Sequence, residues 1–325
     1  MRAEYLHLAI ILFSFIALLL VVWMLIIMLK KRSTTRKRKL IASQLESWIM
    51  DIILEDAPPK GAGFPVPADV SLLLKRKLAR KVLVRELVKI KKSLSGVSGD
   101  NLQQVFRQLN LDQISLQRTT SKMWHVKAKG IQELGIMNHQ PSYKKILQLT
   151  NDADLMVRME AQTALVRLRG YKGLEFFNTL TYPLSDWHQV NILHLLSHQP
   201  ISEHVDIVAW LHSTNPSVVQ FALKLISEQH AGEFYPEVLA CLDSPYEIVR
   251  REAIFCLGQV PALSTPADLA AHFEKEDNKV LRLCIIKALA SNGSEEDMPF
   301  FQRLEQSEDV DIKLASKKSL LQLQH

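Results

Sequence analysis

The chain has 325 residues, of which 47% are hydrophobic and 23% charged, with 11 Gly, 13 Pro and 3 Cys. These proportions exclude a disordered, collagen-like or disulfide-framed chain, and the small share of Gly favours long helices over turn-rich β structure. The net charge of +6 is uneven: residues 1–29 sum to zero, residues 30–92 hold 17 Lys/Arg against 6 Asp/Glu, and residues 93–325 hold 22 against 27, so a basic nucleic-acid-binding face on the main body is not expected.

In chain order, residues 1–7 are a short flank. Residues 8–29, LAIILFSFIALLLVVWMLIIML, carry no charge. At 1.5 Å rise per residue they predict a helix roughly 33 Å long, enough to cross a hydrocarbon core of about 30 Å. The next ten residues, 30–39, hold Lys30, Lys31, Arg32, Arg36, Lys37, Arg38 and Lys39. By the positive-inside rule this predicts a single-pass protein of the inner (cytoplasmic) membrane, with residues 1–7 outside and everything after Lys30 in the cytoplasm. Tyr5 and Trp23 lie towards opposite ends of the apolar run, where interfacial aromatics sit. A cleaved signal peptide would show a shorter apolar core, a preceding basic region and a small-residue cleavage site, whereas here the run is longer, the basic cluster follows it and no such site is present. The basic run is also a candidate contact for anionic lipid head groups, at roughly 1 kcal/mol per basic residue near the surface.

Residues 40–99 predict two amphipathic helices about a Pro-rich joint. In 40–55, Ile41, Leu45, Trp48, Ile49, Ile52 and Ile53 share a helical stripe. Residues 56–69 contain Pro58, Pro59, Pro65 and Pro67 and cannot be helical. The second helix, 71–94, is strongly basic. Three roles are open to it: packing its apolar side on the following domain, lying on the bilayer surface, or facing an acidic partner. The run SLSGVSGDN, 93–101, predicts a domain boundary.

From 100 to 325 the dominant signal is internal. Leu149, Leu180, Leu211, Leu242, Phe273 and Leu304 are spaced 31 residues apart, each near the end of a short apolar segment followed by a polar turn and a second amphipathic segment. Leu165, Leu196, Leu257, Leu289 and Leu320 recur about 16 residues later. Stepping back from Val157 to Val126 adds an earlier second helix, giving about seven helix pairs. A fixed period built from helix pairs predicts an all-α fold, an α-solenoid in which no pair can bury its apolar face alone.

The turns carry a family resemblance. Asp152 to Arg158 and Asp243 to Arg250, followed by Ala161 and Ala253, resemble HEAT repeats; Asp277 to Arg282 is a shorter variant, and Lys313 replaces Arg in the last repeat. The resemblance implies a ladder of Asp and Arg residues along the inside of the turns, interrupted where Trp187-His188 and Val219-Gln220 stand in place of Arg. The whole layout is similar to single-pass bacterial HEAT-repeat membrane proteins. Some of those are associated with envelope polysaccharide glycosyltransferases, so the resemblance implies a membrane glycosyltransferase as one class of protein partner. A non-catalytic accessory or lyase-type HEAT protein and a nucleic-acid-binding HEAT solenoid are the alternatives.

Motifs of chemistry are not found. The chain lacks phosphate-binding glycine loops and nucleophile elbows. His194 and His198 are four apart, with His188 and His204 nearby, but without clustered carboxylates or an H-E-x-x-H pattern they do not predict a metal site. Cys241, Cys256 and Cys284 lie on apolar stripes without C-x-x-C spacing and read as reduced, buried thiols. No catalytic residue, cofactor or small-molecule substrate is expected. Trp187, His188, Trp210 and His212, from adjacent repeats, are the candidate partner surface, since aromatic residues favour interface hot spots. The sequence thus predicts a membrane-tethered protein–protein scaffold or adaptor, not an enzyme.

Overall fold

The computed structural model describes the backbone of residues 2–56, 58, 63–94, 96–197, 206–260 and 262–323, and their side chains from residue 12 onward except Ser14. No β-strand occurs among the described residues. The chain divides into two compact units, residues 1–122 with 132–139, and residues 123–131 with 140–325.

The first unit is built on α1, Arg2–Leu54, a single helix of 53 residues and thus about 80 Å long. The apolar run, the basic segment and the first amphipathic helix are therefore not three successive pieces. Nothing between Leu29 and Leu40 breaks a helix, since Lys and Arg are good helix formers and Gly and Pro are absent there. From Leu12 to Leu40 every described side chain is exposed; burial begins at Ile41 and continues through Leu45, Trp48, Ile49 and Ile52. Among the described residues no helix is long and apolar enough to cross a membrane. The side chains of residues 8–11 and Ser14 of the expected span lie outside the described set, which leaves Phe15–Leu29 as the described apolar run ahead of Lys30.

The expected basic helix 71–94 is two helices, α2 (Ala68–Leu74) and α3 (Lys77–Lys91), parted where Arg76 turns extended. The break re-phases the apolar positions, so that Val70 and the Ala79–Val88 face join one core with Leu45, Trp48 and Ile52 of α1. The basic helix thus buries its apolar side within its own unit. The Pro-rich joint is pinned at its described end. Gln108 accepts from the backbone N–H of Phe64 at 2.9 Å and donates to its carbonyl at 2.8 Å, and Trp48 Nε1 donates to the Pro65 carbonyl at 3.0 Å.

The boundary expected at 93–101 is not there. Helix α4 (Gly96–Gln108) begins inside it and packs on α1 and α3. Ser98 Oγ donates to the Ile53 carbonyl at 2.8 Å, and Asn101 Nδ2 donates to the carbonyls of Ile52 at 3.0 Å and Glu55 at 2.9 Å. The small polar residues that read as a linker are the C-terminal cap of α1, whose last carbonyls have no partner within the helix. Helix α5 (Asp112–Thr119) completes this unit, with the buried Glu133 carboxylate accepting from Ser115 Oγ at 2.7 Å and paired with Arg118. Residues 100–122 therefore belong to the first unit, and the repeat body begins later than expected. Helix α6 (Trp124–Ile136) gives its first turns to the second unit and its last to the first.

The second unit is an all-α helical repeat. Its helices are α7 (Tyr143–Leu147), α8 (Leu155–Arg169), α9 (Asp186–Leu196), α10 (Ile207–Leu211), α11 (Pro216–Gln229) and α12 (Tyr235–Ala240). They continue with α13 (Glu247–Gln259), α14 (Thr265–Lys275), α15 (Lys279–Asn292), α16 (Met298–Leu304) and α17 (Val310–Leu323). The longer second helices pack in series, α11 on α13, α13 on α15 and α15 on α17, while α10, α12, α14 and α16 each pack on the helix that follows. The residues at the 31-residue spacing are buried from Leu180 to Leu304, with Leu149 half-buried, and Leu165, Leu196, Leu257, Leu289 and Leu320 are buried with them. The polar turns start the second helices: side chains of Asp154, Ser185, Asn215 and Asn278 cap α8, α9, α11 and α15. One first helix departs from the pattern, Gly170–Thr179 being a 3-10 helix. There Gly173 lies so close to the Leu165 backbone that a Cβ would collide with it.

Candidate interaction surface

The turns of the second unit hold a modified ladder. Lys127 pairs with Asp152 at 2.7 Å, Arg250 with Glu276 at 2.8 Å, and Lys279 with Asp309 at 2.9 Å. The arginines at the HEAT-like positions reach turn carbonyls: Arg158 that of Asp152 at 2.8 Å, Arg250 that of Ser244 at 2.8 Å, and Arg282 that of Glu276 at 2.5 Å. Where Trp187-His188 and Val219-Gln220 stand, amides take over. Gln189 donates to Gln220 at 2.9 Å, and Gln220 donates to Asp186 at 3.0 Å and Glu252 at 3.1 Å. Lys224 donates to Asp186 at 3.0 Å and holds its carboxyl below the usual carboxylate range, while burial pushes that of Glu252 up. This network ties α9, α11 and α13. Its sequence signal was present, because Gln189 and Gln220 stand 31 residues apart.

The four candidate partner residues do not form one surface. Trp187 is 67% exposed on α9, and His212 is exposed with Nδ1 2.8 Å from the Val208 carbonyl. Trp210 is only 4% exposed. Its ring packs edge-on to Phe177 with centroids 5.0 Å apart, and its Nε1 donates to Asn178 at 3.2 Å. His188 is 1% exposed, with neither ring nitrogen hydrogen-bonded; burial pushes its pKa down to about 4, so it is a neutral core residue. Trp210 and His188 are inside because their helices' apolar stripes face the neighbouring repeat, which adjacency in sequence alone does not reveal. His198 and His204 lie outside the described residues. Among the described residues no group of three or more His, Cys, Asp or Glu could hold a metal ion. The cations from Lys30 to Lys39 all lie on the exposed part of α1.

The exposed face of the second helices carries two adjoining cavities. One, of about 460 Å³, is lined by Arg251, Ile254, Phe255, Cys284, Lys287 and Ser291 between α13 and α15. The other, of about 380 Å³, is lined by Val190, Leu193, His194, Lys224 and Glu228 on α9 and α11. Glu252 and Phe255 line both, so the two form one groove with Phe255, 55% exposed, at its middle. Ala253 to Leu257 are five consecutive apolar residues, and a helix cannot bury all of them on one side, so one had to face outward. Burial pushes the thiols of Cys241 and Cys256 up to about 11 and 12, which removes both as nucleophiles near neutral pH. The groove offers apolar contact and positive charge.

No family matches the chain, and no curated protein does. Solved structures similar to it are helical proteins. Human deoxyhypusine hydroxylase in complex with glycerol is 14% identical over 88% of this chain and 98% of that one, with a TM-score of 0.35. The complex of CpcE and CpcF of phycocyanin lyase from a Nostoc species is 13% identical over 84% and 93%, with a TM-score of 0.27. A designed armadillo repeat protein is 15% identical over 76% and 94%, with a TM-score of 0.25. Likeness at this level carries over no activity, and the repeat architecture rests on the packing described above.

Proposed function

We propose that the chain is a membrane-anchored, non-catalytic scaffold for protein–protein interaction, with its repeat unit on the cytoplasmic side. One observation carries the reading: the first part of α1 is apolar and exposed on every side, yet the same helix continues into a packed core at Ile41. In water such a surface would far exceed the few hundred Å² of contiguous apolar patch that soluble monomers expose. Lipid removes that penalty, and the full run from Leu8 to Leu29 has the length a bilayer needs. The cations that follow favour the cytoplasmic side. A tether of this kind raises the effective concentration of the repeat unit near membrane partners. A membrane glycosyltransferase is the partner class we propose, on the resemblance of the layout. Crosslinking and capture from membranes, comparing the full chain with residues 1–39 alone, tests the scaffold. The full chain should enrich proteins that the short one does not; recovery of the same set by both would overturn it.

A further inference from the structure

We infer that the groove over α13 and α15 is a docking site for an acidic amphipathic helix of a partner protein. This deepens the scaffold reading, and rests on it, by naming the chemistry of what is recruited. Three observations converge. The groove is apolar at its centre, where Phe255 is exposed in a cavity of about 460 Å³. Its surroundings are positive: Arg251 and Lys287 line it and are exposed, and Lys318 on α17, also exposed, stands 31 residues after Lys287 in the repeat register. Of the two carboxylates, Glu252 is occupied by Gln220 and Lys224 and so offers little repulsion to an incoming acid, and Glu228 lines only the neighbouring cavity on α9 and α11, not the one between α13 and α15. These cations belong to a region, residues 93–325, whose own balance is 22 Lys/Arg against 27 Asp/Glu. The positive stripe is therefore local, and complementary charge on a partner would select this face. An amphipathic helix laid in a groove between two helices places apolar anchors at i, i+3 and i+4 on Phe255 and carboxylates at its rim on Arg251, Lys287 and Lys318.

The test uses the full chain in phosphatidylcholine nanodiscs and two labelled synthetic helical peptides. They share Leu and Phe at helical spacing and carry Glu or Lys at all other positions. By fluorescence anisotropy the Glu peptide should bind and the Lys peptide should not. Phe255→Ala should weaken binding about tenfold, as loss of an interface anchor does. Lys287→Glu, at an exposed position that keeps the fold, should abolish it, and Val280→Ser, exposed elsewhere on α15, should leave it unchanged. Bound peptide should also slow alkylation of Cys284, the half-buried cysteine of the groove, while Cys241 and Cys256 are buried throughout. Equal binding of both peptides, or binding indifferent to Phe255 and Lys287, overturns the proposal. So does a Lys287-dependent association with phosphatidylglycerol vesicles in place of the peptide, which would make the stripe a lipid surface. Carbonate-resistant sedimentation of the same protein scores the tether separately, so failure of the anchor and failure of the groove are told apart.

Discussion

Asn101 holds the first unit to its long helix. Its amide satisfies two carbonyls at the end of α1 that the helix itself cannot. Asn101→Ala removes both bonds without overfilling the buried site, and should cost about 1–3 kcal/mol in urea unfolding, the range for leaving buried polar groups unpaired. No change would mean that water or Ser98 caps the helix as well. His188 gives a second handle. Its folded pKa, about 4, lies below the ordinary value of 6.5. The unfolded chain therefore takes up the proton first as the pH falls, so the stabilisation is complete above about pH 6.5 and is lost progressively towards pH 4. The shift corresponds to about 3 kcal/mol. His139, lowered by burial in the first unit, adds loss in the same direction. Thermal melts between pH 7 and pH 4.5 should show a falling transition, and His188→Leu should flatten that fall. An unchanged pH dependence in the variant would show that the imidazole is already hydrated.

At the scale of elements, how much could be read from the sequence depended on distance along the chain. Each repeat carries its own apolar residues and its own turn, so the 31-residue period and the N-caps were visible one repeat at a time. The start of the repeat body was not, because Ser98 and Asn101 meet carbonyls 45 to 49 residues earlier, and no local pattern records such a meeting. The break at Arg76 was hidden for a related reason, since it serves a core shared with α1. For the candidate surface, exposure of Trp187 was compatible with the pattern and burial of Trp210 and His188 was not separable from it. Phe255 could have been found from its five-residue apolar run. The continuity of α1 has a consequence for orientation: Lys30 to Lys39 face every side of one exposed helix, at 100° per residue. Replacing all seven with Gln should remove the positive-inside bias and leave a mixture of orientations, measured as protease access to an N-terminal tag on spheroplasts. A uniform orientation in that variant would show that the folded body, not the charge, sets topology.

The molecule as a whole joins two features that no single segment carries. The first unit packs around the end of a helix whose beginning has no protein partner among the described residues, and the second unit closes its core by stacking one helix pair on the next. A scaffold needs both, a fixed place and a broad face. We propose that the apolar start of α1 spans a bilayer. The most direct measurement is alkaline carbonate extraction of cell membranes combined with protease treatment of intact spheroplasts. The chain should stay in the membrane pellet, an N-terminal tag should be cleaved from outside, and residues 140–325 should be protected until the membrane is opened. Release of the chain by carbonate, or cleavage within residues 140–325 from outside intact spheroplasts, would contradict it.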